Sequence, residues 1–130
     1  MTQKKDRSQT PDSECVARVC VEVCEERQAA DIRLYDVREC SLMTDFYLIC
    51  SASSTPHIRG ICANLDEKLS AQGVKPDHVD GTPESRWIVV DYGGVLVHVF
   101  HPDVRQYYQL ESLWEDAALA YDSTEPHADT

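Results

Sequence analysis

Two adjacent glycines inside an apolar segment constrain the fold of this 130-residue chain more than any other feature. Gly93-Gly94 separates residues 87–92 from residues 95–100, and both flanking runs are rich in β-branched and aromatic side chains. Two such runs joined by a two-residue glycine loop are typical of a β-hairpin. In a hairpin closed by this loop, Trp87 lies opposite Phe100.

Alternation along the two strands gives the hairpin two chemically different faces. The first is almost wholly β-branched and is predicted to face the core: Ile88, Val90, Tyr92, Val95, Val97 and Val99. The second mixes aromatic rings with ionisable groups: Trp87, Val89, Asp91, Leu96, His98 and Phe100. Such a mixture is typical of a protein-binding hot spot, so we expect the second face to be bare. The alternative is that helices cover both faces and that Asp91 and His98 are satisfied internally.

Hydrophobic periodicity predicts the elements around the hairpin. Helices are expected from Ser13 to about Gln28, from Pro56 to a stop at Gly73, and from Pro102 onward. Strands are expected at residues 32–37, 46–50 and 74–79, and the continuously apolar second one is typical of a strand covered on both faces. The order predicts an α/β (α+β) domain, a mixed five-stranded sheet with packed helices.

Length and charge define the domain organisation and the class of partner. Residues 1–12 are predicted to be a flexible N-terminal arm, residues 13–116 the folded domain, and residues 117–130 an acidic, disordered tail. The formal net charge of −11 disfavours direct nucleic-acid binding and favours basic partners. No apolar run approaches the roughly 18 residues of a membrane helix. With a polar N-terminus, this predicts a cytoplasmic protein without membrane contact.

The cysteines and histidines are weighed as metal ligands and judged poor ones. The cysteines include no Cys-x-x-Cys pair: Cys15, Cys20, Cys24, Cys40, Cys50 and Cys62. Cys20 and Cys24 lie one helical turn apart, but free Cys is usually buried apolar filler. His98-x-x-His101 resembles a metal pair, yet residues three apart on a strand point to opposite faces. We therefore predict no metal and no cofactor.

A hydroxyl-rich loop provides the alternative function. Ser51-Ala52-Ser53-Ser54-Thr55 precedes a predicted helix, whose backbone N–H groups could accept phosphate. This suggests a nucleotide-binding or nucleotidyltransferase-like enzyme, but helix capping is the favoured interpretation, and no Asp-x-Asp pair follows to hold Mg²⁺. Cys50 is a candidate nucleophile with only His57 nearby as a base. No catalytic residue is predicted.

Three blocks of the sequence form a distinctive set. They are Asp45-Phe46-Tyr47-Leu48-Ile49-Cys50-Ser51, Trp87-Ile88-Val89-Val90-Asp91-Tyr92-Gly93 and Val97-His98-Val99-Phe100-His101-Pro102-Asp103-Val104-Arg105, followed by Tyr107-Tyr108 and Leu113-Trp114. Together they resemble the ribosomal silencing factors, also called RsfS or Iojap proteins. The resemblance covers roughly residues 14–116.

The resemblance implies a nucleotidyltransferase-like topology without that superfamily's catalytic residues, and a homodimer. It implies a binding protein that attaches to a large-subunit ribosomal protein at the intersubunit face, blocks subunit joining and represses translation when nutrients are scarce. The signature residues carried over as partner contacts are Trp87, Asp91, Tyr92, His98 and Phe100. Tyr107 and Trp114 also match, but helical spacing would equally place them in the core.

The chain departs from the family pattern at three places. The usual Cys-Ser-Gly-Thr-Ser reads Cys50-Ser51-Ala52-Ser53-Ser54, which lacks the glycine that would allow close backbone approach to a ligand. A glycine usual before the Trp-led strand is replaced around Ser85-Arg86, and the usual Asp at the hairpin tip is Gly94. These changes leave the core of the signature intact.

Charge and resemblance lead to the same function. An acidic domain with an aromatic face suits a basic ribosomal protein, because opposite charge speeds encounter and buried rings hold the complex. The expected mechanism is steric exclusion, with no bond made or broken. A purely structural dimerising adaptor shares the hairpin features and differs in having no affinity for the ribosome.

Overall fold

The computed structural model describes residues 12–39, 44–104 and 118–122. Two α-helices and six strands lie in these ranges: α1 (Ser13–Glu26), β1 (Ala30–Asp36), β2 (Phe46–Ser51), α2 (Thr55–Ser70), β3 (His78–Thr82), β4 (Trp87–Asp91), β5 (Val95–Phe100) and β6 (Ala118–Asp122). A single 3-10 turn, Pro83–Ser85, joins β3 to β4. Residues 102–104 are helical, and the rest of the helix predicted from Pro102 lies outside the described residues, as does Cys40.

The strands form one mixed sheet in the order β3-β4-β5-β2-β1-β6. The central strands β2 and β5 run parallel, and the other neighbouring strands run antiparallel. The predicted α+β class and mixed sheet are confirmed, but the predicted number of five strands is wrong. The implied nucleotidyltransferase-like topology stays a prediction.

The sixth strand is formed by residues predicted to be disordered. β6 pairs antiparallel with β1, and the Arg33 Nε atom lies 3.5 Å from the Asp122 Oδ2 atom. The prediction of a disordered tail is therefore wrong for residues 118–122. β6 forms because the edge of β1, which is distant in the sequence, is open for pairing. The sequence of these five residues alone does not show that such an edge is available.

The hairpin has the predicted register. Trp87 lies opposite Phe100 along β4 and β5, and the Tyr92 backbone N–H donates to the Val95 carbonyl at 2.9 Å. Gly93 adopts a φ of 88°, which favours glycine in the tight turn. At Gly94 an added Cβ would lie 2.6 Å from the Ser13 Cβ, so glycine allows the start of α1 to approach the tip.

Both helices begin at a polar cap and pack on one face of the sheet. The Asp12 carboxylate accepts the Cys15 N–H at 2.9 Å, and the Ser54 hydroxyl accepts the His57 N–H at 3.2 Å. Their buried stripes join the core-facing residues of the hairpin: Val16, Ala17, Cys20, Val23 and Cys24 from α1, and Ile58, Ile61, Leu65 and Leu69 from α2. The predicted core face of the hairpin is confirmed.

The opposite face of the sheet carries a second apolar cluster, here called the aromatic cluster. Its buried members are Tyr35, Val37, Tyr47, Ile49 and Phe100, with Leu96 and Val104 packed against them. All six residues of β2 are buried, as predicted for a strand covered on both faces.

The third strand starts four residues later than predicted. Pro76 has no N–H to donate to a sheet partner, so the regular ladder begins beyond it, at His78. Neither α1 nor α2 combines the length and the apolar character that a membrane crossing requires, and this applies to the described residues only.

Candidate functional site

The second face of the hairpin brings together four of the five predicted contact residues. Trp87 and Asp91 on β4, and His98 and Phe100 on β5, alternate onto the same side of the sheet. Tyr92 lies on the other side, where it packs against the core of the two helices. The structure therefore separates Tyr92 from the other four.

Trp87 is exposed, whereas the ring beneath it is not. The Trp87 side chain is 38% exposed and stacks on Phe100, with centroids 5.6 Å apart and planes inclined by 26°. Phe100 is 0% exposed and belongs to the aromatic cluster. The expectation of a bare face is wrong at Phe100, because this ring fills the core of that side and supports Trp87 from below.

His98 is also largely buried, with 9% of its surface exposed. Its ring lies 4.6 Å from the Tyr47 ring and 5.6 Å from the Phe100 ring, measured between centroids. Neither ring nitrogen has a hydrogen-bond partner among the described residues. Burial lowers the pKa of His98 from 6.5 to about 4, so the imidazole is neutral at pH 7.

We expect His98 to make the protein less stable as the pH falls from about 6.5 to about 4. The pKa of His98 is about 4 in the folded protein and near 6.5 in the unfolded chain, so within this window the unfolded state binds the extra proton. The free energy of unfolding therefore decreases with acidity, by about 3 kcal/mol in total at about 1.4 kcal/mol per unit. Urea unfolding of the parent and of His98→Phe at about pH 7 and about pH 4.5 measures this difference.

The phenylalanine variant keeps an aromatic ring against Tyr47 and removes the titrating group. Carboxylates elsewhere titrate in both proteins, so the comparison isolates the imidazole. Equal loss of stability on acidification in the two proteins would contradict this account of His98.

Asp91 and Tyr92 have structural roles on opposite sides of the hairpin end. The half-buried Asp91 carboxylate accepts the Gly93 N–H at 2.8 Å and so stabilises the turn. Half-buried Tyr92 lines a cavity at the hairpin tip with Ser13 and Asp45, and burial raises its pKa. The Ser13 hydroxyl donates to the Asp45 carboxylate at 2.6 Å in the same place.

The hydroxyl-rich loop caps α2. Besides the Ser54 cap, the Ser53 N–H donates to the His57 Nδ1 atom at 2.9 Å, and the opposite ring nitrogen, Nε2, donates to the Arg27 carbonyl at 2.6 Å. Because the Nδ1 lone pair accepts a backbone N–H, His57 is not a free base. The capping interpretation is confirmed, and these contacts favour it over an enzyme that uses residues 51–55.

The cysteines pack as apolar filler. Cys20, Cys24 and Cys50 are 0% exposed, and the Cys24 and Cys50 Sγ atoms are 3.7 Å apart. The pKa of Cys24 is raised by its hydrogen bond with Cys50 and by burial, and the pKa of Cys20 is raised by burial to about 12. Both thiols are therefore protonated. The filler interpretation is confirmed for these three residues.

His101 lies just past β5 and bonds locally. Its Nδ1 atom accepts the Asp103 N–H at 3.3 Å and lies 3.7 Å from the Asp103 Oδ2 atom. Over residues 12–39, 44–104 and 118–122, no three His, Cys, Asp or Glu side chains are grouped as a metal site requires. That the protein uses no metal and no cofactor stays a prediction.

Two features on or beside the outer strands β3 and β4 were missed by sequence reasoning. Arg86 has a left-handed backbone, with φ 68° and ψ 18°, at the place where the family's usual glycine is replaced. The sequence did contain a signal of this conformation, namely the position of the family's usual glycine, because glycine adopts a left-handed backbone without steric cost. The second feature is Val79, which is 52% exposed on the outer strand β3. Its exposure follows from the sheet order, and no local pattern indicates it.

Comparison with known protein families gives one match over nearly the whole chain. The model of a family described as "Ribosomal silencing factor during starvation" (RsfS) matches residues 10–130. Ribosomal silencing factor RsfS of Bacillus subtilis is 37% identical over 105 residues, which cover 81% of this chain and 89% of that protein. The chloroplastic protein Iojap of Zea mays is 33% identical over 108 residues, which cover 82% of this chain and 47% of that protein.

Solved structures share the fold. A crystal structure of a Bacillus halodurans protein superposes with a TM-score of 0.73 at 30% identity and covers 83% of this chain and 98% of its own. A Chromobacterium violaceum protein superposes with a TM-score of 0.76 at 25% identity and covers 88% of this chain and 98% of its own. The arrangement of strands and helices described above is therefore shared with experimentally determined structures.

Proposed function

The chain belongs to the ribosomal silencing factor family, and we propose that it acts by binding the large ribosomal subunit and excluding the small one. The contact is a basic ribosomal protein at the intersubunit face, and the result is lower translation under nutrient limitation. The protein acts in the cytoplasm as a homodimer and catalyses no reaction. The relatives support the ribosomal partner: one from mouse is named "Mitochondrial assembly of ribosomal large subunit protein 1".

The exposed Trp87 ring is the observation that supports this function best. A large aromatic side chain held on a fully buried ring loses little conformational freedom on binding, which is the usual state of a hot-spot residue. His98 and Phe100 contribute from beneath by supporting Trp87, and Asp91 contributes by holding the hairpin turn. The contact surface therefore centres on Trp87, with Phe100 and His98 beneath it, while Asp91 lies at the hairpin turn and Tyr92 on the other side of the sheet.

Charge supports a basic partner. The chain has 23 acidic and 12 basic side chains, so its field attracts a positively charged surface and repels exposed RNA phosphate. Acidic groups also lie on the same face as Trp87: Asp91 is at the opposite end of β4, and Asp80 pairs with Val89 on the neighbouring strand. Opposite charge across the contact increases the rate of association, while the buried ring slows dissociation.

Exclusion of the small subunit requires only that the bound domain occupies space. A folded chain of this size has a radius of gyration of about 13–15 Å. Such a volume at the intersubunit face prevents the two ribosomal surfaces from meeting. No bond chemistry is needed, in agreement with the capped loop and protonated thiols described above.

A subunit-joining experiment tests the proposal. Purified bacterial large subunits are incubated with the protein before small subunits are added, and joined ribosomes are measured by light scattering and by sucrose-gradient sedimentation. We expect the protein to cosediment with large subunits and to reduce joining in proportion to its occupancy. Binding without reduced joining would contradict steric exclusion, and absence of cosedimentation would contradict ribosome binding.

A further inference from the structure

We infer that the outer edge of β3 is part of the same partner-binding surface and pairs with an extended segment rich in Lys and Arg. This rests on the proposed function, because the segment belongs to the ribosomal protein that Trp87 contacts. It adds to that function a mode of recognition, in which the partner extends the sheet by one strand.

The position and exposure of β3 support this inference first. β3 is the terminal strand of the sheet, and β4 pairs with it along all five residues. All five residues of β3 are exposed. A terminal strand presents a row of N–H and C=O groups on its outer side that another strand can pair with. Natural edges are commonly protected by Lys or Pro, and His78–Thr82 contains neither.

The exposed apolar side chains lie where an added strand would cover them. Val79 and Trp87 are the large apolar side chains that the structure leaves exposed among the described residues. Val79 pairs with Val90 and so projects from the helix-covered face, while Trp87 pairs with Thr82 and projects from the opposite face. A strand placed about 4.8 Å beyond β3 has side chains on both faces. It would therefore cover Val79 on one face and, on the other face, lie beside Thr82, the strand partner of Trp87.

The charges along β3 select the chemistry of the added strand. Asp77 and Asp80 are exposed, and neither makes an ion pair within the part of the chain that the structure describes. Two of the neighbouring basic side chains are already engaged, since Arg59 pairs with Glu84 and Arg86 lies 4.0 Å from the Asp103 carboxylate, whereas Lys75 is exposed ahead of the strand. Because β3 itself contains no Lys or Arg and carries exposed carboxylates, its edge favours Lys and Arg on the incoming strand.

The same charges disfavour a second copy of this chain at the edge. In the antiparallel register that places the two-fold axis between residues 78 and 79, Asp77 of each copy would lie opposite Asp80 of the other. Like charges at facing positions of neighbouring strands are destabilising. A basic strand from another protein has the opposite effect, so the edge discriminates between the two occupants.

Hydrogen exchange on the complex tests the pairing directly. The full chain is labelled in D₂O alone and with saturating purified bacterial large subunits, and exchange at residues 78–82 is measured by mass spectrometry. We expect the exchange rate of these backbone amides to be at least roughly tenfold lower in the complex, because N–H groups on the outer side of β3 gain hydrogen-bond partners when a strand is added. The same experiment at several protein concentrations without ribosomes detects self-pairing.

A pair of matched variants tests the charge and the apolar contact. Val79→Lys removes the exposed apolar group and adds a positive charge to the edge, and we expect it to weaken cosedimentation roughly tenfold. Ala63→Lys adds the same charge to an exposed position on α2 and is expected to bind as the parent does. Thermal unfolding of both variants verifies that they are folded.

The outcomes separate this inference from the proposed function. Binding that depends on Trp87 without slower exchange at residues 78–82 would overturn the edge pairing and leave the proposed function standing. If exchange at residues 78–82 in the free protein becomes slower as the protein concentration rises, a second copy of the chain is the occupant. This result would also overturn pairing with a basic segment. A parent protein that fails to bind large subunits would overturn both.

Discussion

Replacing Trp87 with alanine is expected to weaken binding to large ribosomal subunits by roughly 30-fold or more. Truncating a central hot-spot aromatic commonly costs about 2 kcal/mol or more of binding free energy, which corresponds to that change in affinity. Trp87 meets the structural conditions for such a residue, because its ring is exposed on one side and stacked on buried Phe100 on the other. Cosedimentation with a dilution series of purified large subunits measures the loss.

Two comparisons make the Trp87 result specific. Trp87→Phe keeps an aromatic ring over Phe100 and is expected to retain most of the affinity, whereas Trp87→Ala loses it. Unfolding in urea should show that Trp87→Ala remains folded, with a decrease in stability of about 1 kcal/mol from the lost ring contact. An alanine variant that binds as tightly as the parent would remove Trp87 from the contact surface.

Replacing Phe100 with alanine is expected to lower the free energy of unfolding by roughly 3–5 kcal/mol. Phe100 is 0% exposed, and truncating a completely buried phenylalanine loses its apolar burial and leaves a cavity among its neighbours. Those neighbours are Ile49, Tyr47 and the stacked Trp87 ring. Urea unfolding of the parent and the variant at neutral pH measures the change.

The Phe100 experiment distinguishes a packing role from a contact role. Phe100→Leu replaces the ring with a smaller apolar side chain and should recover much of the stability. If Phe100 were a direct contact, alanine would reduce ribosome binding while stability changed by less than about 1 kcal/mol. That pattern would contradict the buried position described here.

Much of the hairpin follows from the sequence because its determinants are local. A two-residue glycine loop sets the pairing of the strands that follow it, and the period of two then assigns each side chain to a face. The predicted pairing of Trp87 with Phe100 and the predicted core face are both observed. The caps and buried stripes of the two helices are local in the same way.

The candidate site was predicted less completely, because burial depends on what lies across the sheet. Trp87 and His98 share a face in the sequence pattern, yet one is 38% exposed and the other 9%. Position in the sheet decides this difference, since β5 is an inner strand beside β2 and Trp87 stands at the start of β4, next to the outer strand. The prediction of a bare face treated these positions as equivalent.

The sequence by itself determined the hairpin and its register, the helices that cover one face, and membership of the family. Only the tertiary structure decided that β6 joins the sheet, that Phe100 and His98 are buried, and that Val79 is left on an outer strand. The physical reason is the separation along the chain of the residues that interact. Turns, caps and periodicity act between residues a few positions apart, whereas strand order and burial come from contacts between segments distant in the chain.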